Sequence, residues 1–416
     1  MPPEQLLPAQ KTDDGSPVRL ERMAMTAMAG IAIVFVVGLM ISIVLHVWPY
    51  DGTGHPIMID FLVFWIAGHL ALQGVPHSAY VWHLLHLAEV QTVGHAVGVP
   101  LPWSYPPLFL CVAVVLASFP IGLALALWIG VTFSLYTGVM AAITRRPAVA
   151  LAAAACPWTI VSLYIGQDGL LSSSIVGGTL LLLNRRPAFA GLLLGLLSFK
   201  PHLGILFPVA LAFGGFWRAM IWACIGALAW TAGSSAAFGF GTLIDFFHGL
   251  ASAADNYLVR DGIGWYNFQS VYALARWLGD PGAVCWTFQA SAAIACIAAT
   301  AVLWRSNASF SLKAAGLAAA IPMATPYVFV YDQCVLTIAL GFLIRQRRLD
   351  LFEGAAVLFS LLITFFAWSK NPTAVLAGIA ICAVVFRRVL QERKNRNLAT
   401  SPGGEPGLHY SQACAA

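Results

Sequence analysis

The chain has 416 residues, of which 60% are hydrophobic and only 9% charged, with a formal net charge of +5. Soluble domains are about 45–50% apolar and roughly 25% charged, so this composition excludes a chain dispersed in water and specifies an integral membrane protein. The basic residues sit in small groups between apolar runs, which excludes a nucleic-acid patch and makes them topology marks under the positive-inside rule.

A spanning helix needs about 20 apolar residues, and the chain divides on that ruler. Residues 1–22 are polar and carry Lys11, Arg19 and Arg22, which predicts a cytoplasmic tail. The run 23–48 is long enough to cross and has no cleavage site, so it reads as a retained first helix rather than a signal peptide. A polar and aromatic outer loop, 49–104, follows. Within it, Asp60–Gln73 and Tyr80–Val93 have apolar residues on one face at helical spacing, which predicts amphipathic helices lying in the interface. The stretch "SYPPLFLCVAVVLASFP" at 104–120 is short and bounded by prolines. Were it to cross, Arg145 and Arg146 would fall outside, so it reads as a re-entrant helix. The run 120–143 then crosses inward.

The remainder alternates: spans over 147–164, 168–184, 187–199, 201–216 and 219–240, a second outer loop over 241–283, then spans over 284–304, 311–325, 332–344, 350–367 and 373–388. The expected fold is an all-α polytopic bundle of about twelve transmembrane helices occupying 23–388. Both termini are then cytoplasmic, and a polar, disordered tail occupies 389–416. The eight cysteines are scattered, with no C-x-x-C pair, so neither a zinc site nor a disulfide framework is indicated.

This topology gathers polar groups from distant parts of the chain at the outer face: Asp51, Asp60, Tyr105, Gln167, Asp168, Lys200, His202, Asp255, Arg260, Asp261 and Asp332. Lys200 stands in "LSFKPHLGILFPV", where a cation at membrane depth is costly. Snorkelling to the headgroups is one reading; a point charge for a phosphate or diphosphate is the other. His202 reads as a donor to the same oxygen or as a structural histidine. Asp60, in "IMIDFLVFW", reads as a helix cap or as a general base among aromatic side chains. Gln167 and Asp168 lie in the tight turn "GQDG", as turn polars or substrate contacts. Asp332, in "YVFVYDQ", is by default a cap, with a second acidic group in the site as the alternative. Tyr105 reads as an anchor of the short helix or a ligand, and Arg260 with Asp261 as an outer-loop pair.

Together these segments resemble glycosyltransferase family 87, membrane enzymes of the GT-C type once known as a domain of unknown function. The resemblance is carried by "DFLVFWIAGHLALQGVPHSAY" at 60–80, "SYPPLFL" at 104–110, "GQDGLL" at 166–171 and, most specifically, "RRPAFAGLLLGLLSFKPHLGILFPVAL" at 185–211. "YVFVYDQCVL" at 327–336 fits more loosely, and the resemblance extends over most of 55–345. It implies an inverting hexosyltransferase, acting with polyprenyl-phosphate mannose or a similar donor on an extracytoplasmic glycan or glycolipid at the outer face of the cytoplasmic membrane. By resemblance Asp60 is the base and Lys200-Pro201 lies at the lipid phosphate, with His202 and Arg260 assisting. Tyr105, Gln167, Asp168 and Asp332 would contact substrate. The lipid-linked donor is a substrate, so no cofactor or metal is expected, and the absence of a D-x-D pair suits a donor that is not a nucleotide sugar. The alternative is a transporter or flippase of a lipid-linked sugar. Such proteins place ionisable groups near the midplane and show internal repeats, and no repeat is visible between the halves.

Overall fold

The structure is a computed structural model, described here for residues 15–57, 59–97, 101–254, 265–367 and 371–399. Among the described residues all extended regular structure is helical, and the only strand-like feature is an isolated bridge between Tyr50 and Pro56. The chain opens with α1 (Gly15–Val44), α2 (Asp60–Leu72), α3 (Trp82–Val93), α4 (Pro107–Ala117) and α5 (Ile121–Thr144). There follow α6 (Pro147–Ala154), α7 (Pro157–Ile165), α8 (Gly169–Leu182), α9 (Pro187–Leu196), α10 (Pro201–Gly204) and α11 (Phe207–Phe213). The rest comprises α12 (Trp217–Phe238), α13 (Phe240–Ala254), α14 (Val271–Trp277), α15 (Gly282–Arg305), α16 (Phe310–Ala320), α17 (Cys334–Gln346), α18 (Leu351–Ala367) and α19 (Val375–Ala399).

Proline punctuates this series. Pro107, Pro147, Pro157, Pro187 and Pro201 each occupy the first position of a helix, where the missing N–H has no intrahelical partner to lose. The residue before such a proline is driven extended, as Cys156 is (φ −64°, ψ 141°). The single span expected over 147–164 is therefore α6 and α7, meeting at 62°. The stretch 201–216 divides in the same way into α10 and α11, with Pro208 in the first turn of the second.

These breaks change the span count. Four helical stretches among the described residues are long and apolar enough to cross a membrane: α5, α12, α15 and Pro372–Leu398. They become five if the bent α6–α7 pair counts as one span. Eight further apolar helical stretches have 10–17 residues, or roughly 15–26 Å of length at the helical rise, short of a hydrocarbon core of about 30 Å; one of them, Met28–Val44, is the apolar part of the longer α1. The protein is thus an all-helical membrane protein with four or five candidate spans, and the expected twelve are not confirmed. Alternating arginine groups count apolar segments correctly, but they do not reveal where prolines and turn glycines cut those segments short.

Three further expectations are corrected. α2 does not lie in an interface: Phe61, Leu62, Val63, Phe64, Ile66 and Ala67 are all buried, as expected for a helix apolar around its whole circumference, and α2 packs on α4. α3 does not separate an apolar from a polar face: its buried stripe of Leu85, Glu89 and Val93 includes a carboxylate, while Trp82 and Leu87 are exposed. The outer loop expected over 241–283 contains α13 and α14; Asp245 and His248 lower its hydropathy without breaking the helix. The segment 104–120 does form a short helix, α4, of 11 residues.

At one end of the bundle the arginine groups meet. Arg345 lies near Arg145 and Arg185 and donates to the carbonyl of Ile143 at 3.4 Å. Beside it, Arg388 is buried and grips Glu353 through two bonds, Nε–Oε1 at 2.9 Å and Nη2–Oε2 at 2.7 Å, and also donates to the Leu343 carbonyl at 2.5 Å. Arg347 adds a contact to Glu353 at 2.6 Å. The carboxylate thereby joins the C-terminal end of α17, the first turn of α18 and the middle of α19. α19 continues as helix to Ala399, past the expected boundary at 389. There Glu392 accepts from the backbone N–H of Ser309 at 3.0 Å and pairs with Arg396 at 3.1 Å.

Candidate active site

α8 and α17 run from the opposite end of the bundle toward these arginines, and their N-termini carry the site. α7 stops at Gly166, whose φ of +69° is a left-handed C-cap that favours glycine. A Cβ there would also lie 2.5 Å from the Cβ of Phe61. The absent side chain lets the start of α2 approach the turn. Trp128 Nε1–H donates to the Gly166 carbonyl at 2.8 Å, and Trp48 Nε1–H to that of Tyr164 at 3.0 Å, which pins the turn.

Asp60 is the first residue of α2, following Ile59 in extended conformation (φ −120°, ψ 162°). Its carboxylate does not cap its own helix. Oδ2 accepts from Gln167 Nε2 at 2.9 Å. The Gln167 carbonyl oxygen, Oε1, accepts twice, from the Tyr105 hydroxyl at 3.0 Å and from the Asp168 backbone N–H at 3.1 Å. Tyr105 is held in turn by stacking on Phe109, with centroids 4.6 Å apart, and its carbonyl accepts from the Tyr80 hydroxyl at 2.9 Å.

Asp168 precedes α8, and its side chain turns away from the helix toward Lys200, with Oδ1 2.5 Å from Nζ. Asp332 reaches the same ammonium at 2.6 Å, while its other oxygen accepts from the Phe329 N–H at 2.9 Å. Asp332 thus closes the short turn before α17 through Phe329 and pairs with Lys200, without capping α17 itself. Gly169 makes this closure possible, because a Cβ there would lie 2.2 Å from the Tyr331 carbonyl oxygen. Lys200 precedes Pro201 with a non-helical backbone (φ −139°, ψ 66°), which ends the helical run before it. It is 5% exposed and lies over the Tyr331 ring, 4.8 Å from its centroid. A snorkelling lysine would reach water; this one is ion-paired inside the protein.

A cavity of about 600 Å³ opens against these groups. Asp60, Tyr105, Gln167, Lys200, His202 and Tyr331 give it a polar wall, and the rest is mostly apolar, with Phe64, Phe199, Phe246 and Phe268 among its rings. Asp60 and Lys200 share this cavity and are joined by an unbroken chain of contacts through Gln167 and Asp168. Asp168 and Asp332 stand behind Lys200 and are not part of the lining. Among the described residues His202 Nε2 has no hydrogen-bond partner. Asp51 lies elsewhere, in an exposed turn. There the Thr53 hydroxyl, with the N–H groups of His55 and Thr53, holds its carboxyl below the usual range. Arg260, Asp255 and Asp261 fall outside the described residues. Among the described residues no group of three or more His, Cys, Asp or Glu side chains converges for a metal.

The sequence alone does not single out Tyr331, Phe199, Phe246 or Phe268 of this lining. For Tyr331 an aromatic beside a buried acid is the available signal; Phe246 comes from α13, in a stretch whose pattern reads as loop.

The sequence profile of glycosyltransferase family 87 matches residues 103–326, a shorter stretch than the expected 55–345. Tyr105, Gln167, Asp168, Lys200 and His202 lie inside the match; Asp60 and Asp332 lie outside it. No curated protein and no solved structure matches the chain.

Proposed function

The chain belongs to glycosyltransferase family 87 and is a glycosyltransferase with a sugar donor and an acceptor as substrates; from that premise we propose that it moves a hexose, mannose by the family resemblance, from a polyprenyl-phosphate donor to a glycan or glycolipid, with Asp60 as base. One observation carries this reading: a carboxylate and an ammonium face one largely apolar cavity, linked by a continuous chain of hydrogen bonds and ion pairs. The remaining elements of the proposal are the outer face of the cytoplasmic membrane and cytoplasmic termini. They are supported by the position of the cavity at the bundle end opposite Arg145, Arg185 and Arg345, which the positive-inside rule assigns to the cytoplasm.

The chemistry follows from the groups present. Asp60 takes the proton of the acceptor hydroxyl as its oxygen attacks the anomeric carbon. The bond from that carbon to the phosphate oxygen breaks on the opposite face, and the configuration inverts. The departing phosphate gathers charge in an apolar surrounding, where a fixed cation is worth more than in water. Lys200 has three N–H donors; two face Asp168 and Asp332, and the third is left for a phosphate oxygen. His202 lines the same wall and offers a further contact. Because two carboxylates already neutralise Lys200, its contribution is a directed hydrogen bond more than a free charge. The apolar rings of the cavity suit the first isoprene units.

The test is transfer from polyprenyl-phosphate mannose by the purified protein in detergent, using a membrane lipid extract as acceptor. Removing a general base costs about 10²–10⁴-fold, so Asp60→Asn should lose transfer while remaining monodisperse. Wild-type rates in a well-folded Asp60→Asn protein would refute the assignment of Asp60.

A further inference from the structure

Gln167 has no titratable group, yet its side chain is the best-connected polar group in the site. Its orientation is decided by its surroundings. Two donors, the Tyr105 hydroxyl and the Asp168 N–H, converge on one end of the amide at 3.0 and 3.1 Å. That end must be the carbonyl oxygen, because the Asp168 backbone N–H can only donate and the Asp60 carboxylate at the other end can only accept; with the oxygen so placed, the Tyr105 hydroxyl donates to it as well. The NH₂ is therefore fixed toward Asp60, and it donates to Oδ2 at 2.9 Å. Gln167 is itself buried, at 7% exposure, and its backbone is locked: its N–H donates to the Ser162 carbonyl at 2.9 Å, and its own carbonyl accepts from the Ser162 hydroxyl at 3.0 Å. Among the described residues Asp60 Oδ1 has no partner. One carboxylate oxygen is held by protein and the other is left for a ligand.

We propose that Gln167 is a positioning residue for Asp60, its amide clamped by Tyr105 and the Asp168 backbone so that Oδ2 is held and Oδ1 alone is presented to the acceptor hydroxyl. This rests on Asp60 as the base. It gives Gln167 and Tyr105 a role distinct from binding sugar. A hydrogen bond to the charged form of an acid favours that form, and one to an ionised group is stronger than a neutral one. The titratable groups facing Asp60 are Asp168, Lys200, Tyr105 and Tyr331. A Gln167→Met change leaves all four in place.

Two readouts on the full-length protein in detergent test the proposal. The first is the infrared carboxyl band of Asp60 followed against pH, each variant measured as a difference from its own Asp60→Asn background. The second is the acid limb of kcat/KM against pH, read as polyprenyl phosphate released from polyprenyl-phosphate mannose. Losing one charged hydrogen bond should raise both midpoints by about one to two pH units in Gln167→Met. Tyr105→Phe frees one side of the clamp and should move both in the same direction by less, with the donor KM unchanged in either variant. If neither variant moves the infrared midpoint, Gln167 does not hold Asp60 and the proposal fails. If Asp60→Asn keeps wild-type transfer, the base assignment fails instead, while the infrared titration still decides what Gln167 does.

Discussion

Replacing Lys200 by methionine is the sharpest perturbation of the site. The ammonium lies 2.5 Å from Asp168 and 2.6 Å from Asp332, both with side chains at 0% exposure. Without it, two carboxylates share a dry space with no cation. At an effective dielectric constant of about 20, each contact has a gross attraction of roughly 6 kcal/mol, most of it cancelled by the cost of taking the ions out of water. The intact cluster thus adds little net stability, whereas removing the central partner should cost about 3–5 kcal/mol. Neutralising the carboxylates as well should recover most of that loss, because replacing a whole buried ionic cluster is often neutral or better. The assay is the apparent unfolding temperature in detergent of Lys200→Met beside the triple variant Lys200→Met, Asp168→Asn, Asp332→Asn. The expected order is wild type and triple variant close together, single variant well below. A single variant as stable as wild type, or a triple variant no better than the single, would show that Lys200 does not compensate these acids. If the triple variant is stable, its donor KM then reports separately on the third N–H of Lys200.

Other consequences are as open to measurement. Gly169→Ala would drive a Cβ into the Tyr331 carbonyl, 2.2 Å away; the overpacking should cost about 1–3 kcal/mol, lowering the unfolding temperature more than Gly138→Ala, where the added Cβ meets open space. Arg388→Met should destabilise by about 3–5 kcal/mol by leaving Glu353 buried without its bidentate partner, and Arg388→Met with Glu353→Gln should regain much of it in the same assay. Glu89, on α3, accepts from the Leu101 N–H at 3.0 Å and pairs with His86 at 3.3 Å, and burial raises its carboxyl pKa. A folded pKa above the unfolded one makes ionisation a cost that is absent at low pH and grows as pH rises above 4.5. The stability of Glu89→Gln relative to wild type should therefore increase over that interval, and a difference independent of pH would refute the account.

Much of the site was legible before any coordinates. An ionisable residue inside an apolar run is conspicuous because burying it is expensive, so Asp60, Asp168, Lys200 and Asp332 each announced themselves. The turn "GQDG" was legible because glycines bracket polar residues between two helix-length runs. The pairing was not. The sequence points Lys200 toward a phosphate; in the structure Asp168, 32 residues before it, accepts its hydrogen bond, and Asp332, 132 residues after it, is ion-paired with it. Nothing in a one-dimensional pattern states which buried charges neutralise each other.

The same division holds for the whole chain. The sequence by itself determined that the protein is helical and resides in a membrane, and which residues are too polar for their surroundings. Those properties depend on local composition, on proline and on the cost of desolvation. Only the tertiary structure decided that α2 is core rather than interface, that several apolar segments are bent or shortened at prolines and turns, and that Gln167 joins Asp60 to Asp168 and Lys200. These depend on close approach between segments far apart in the chain, such as the contact of Gly166 with Phe61, and such contacts are a property of packing in three dimensions.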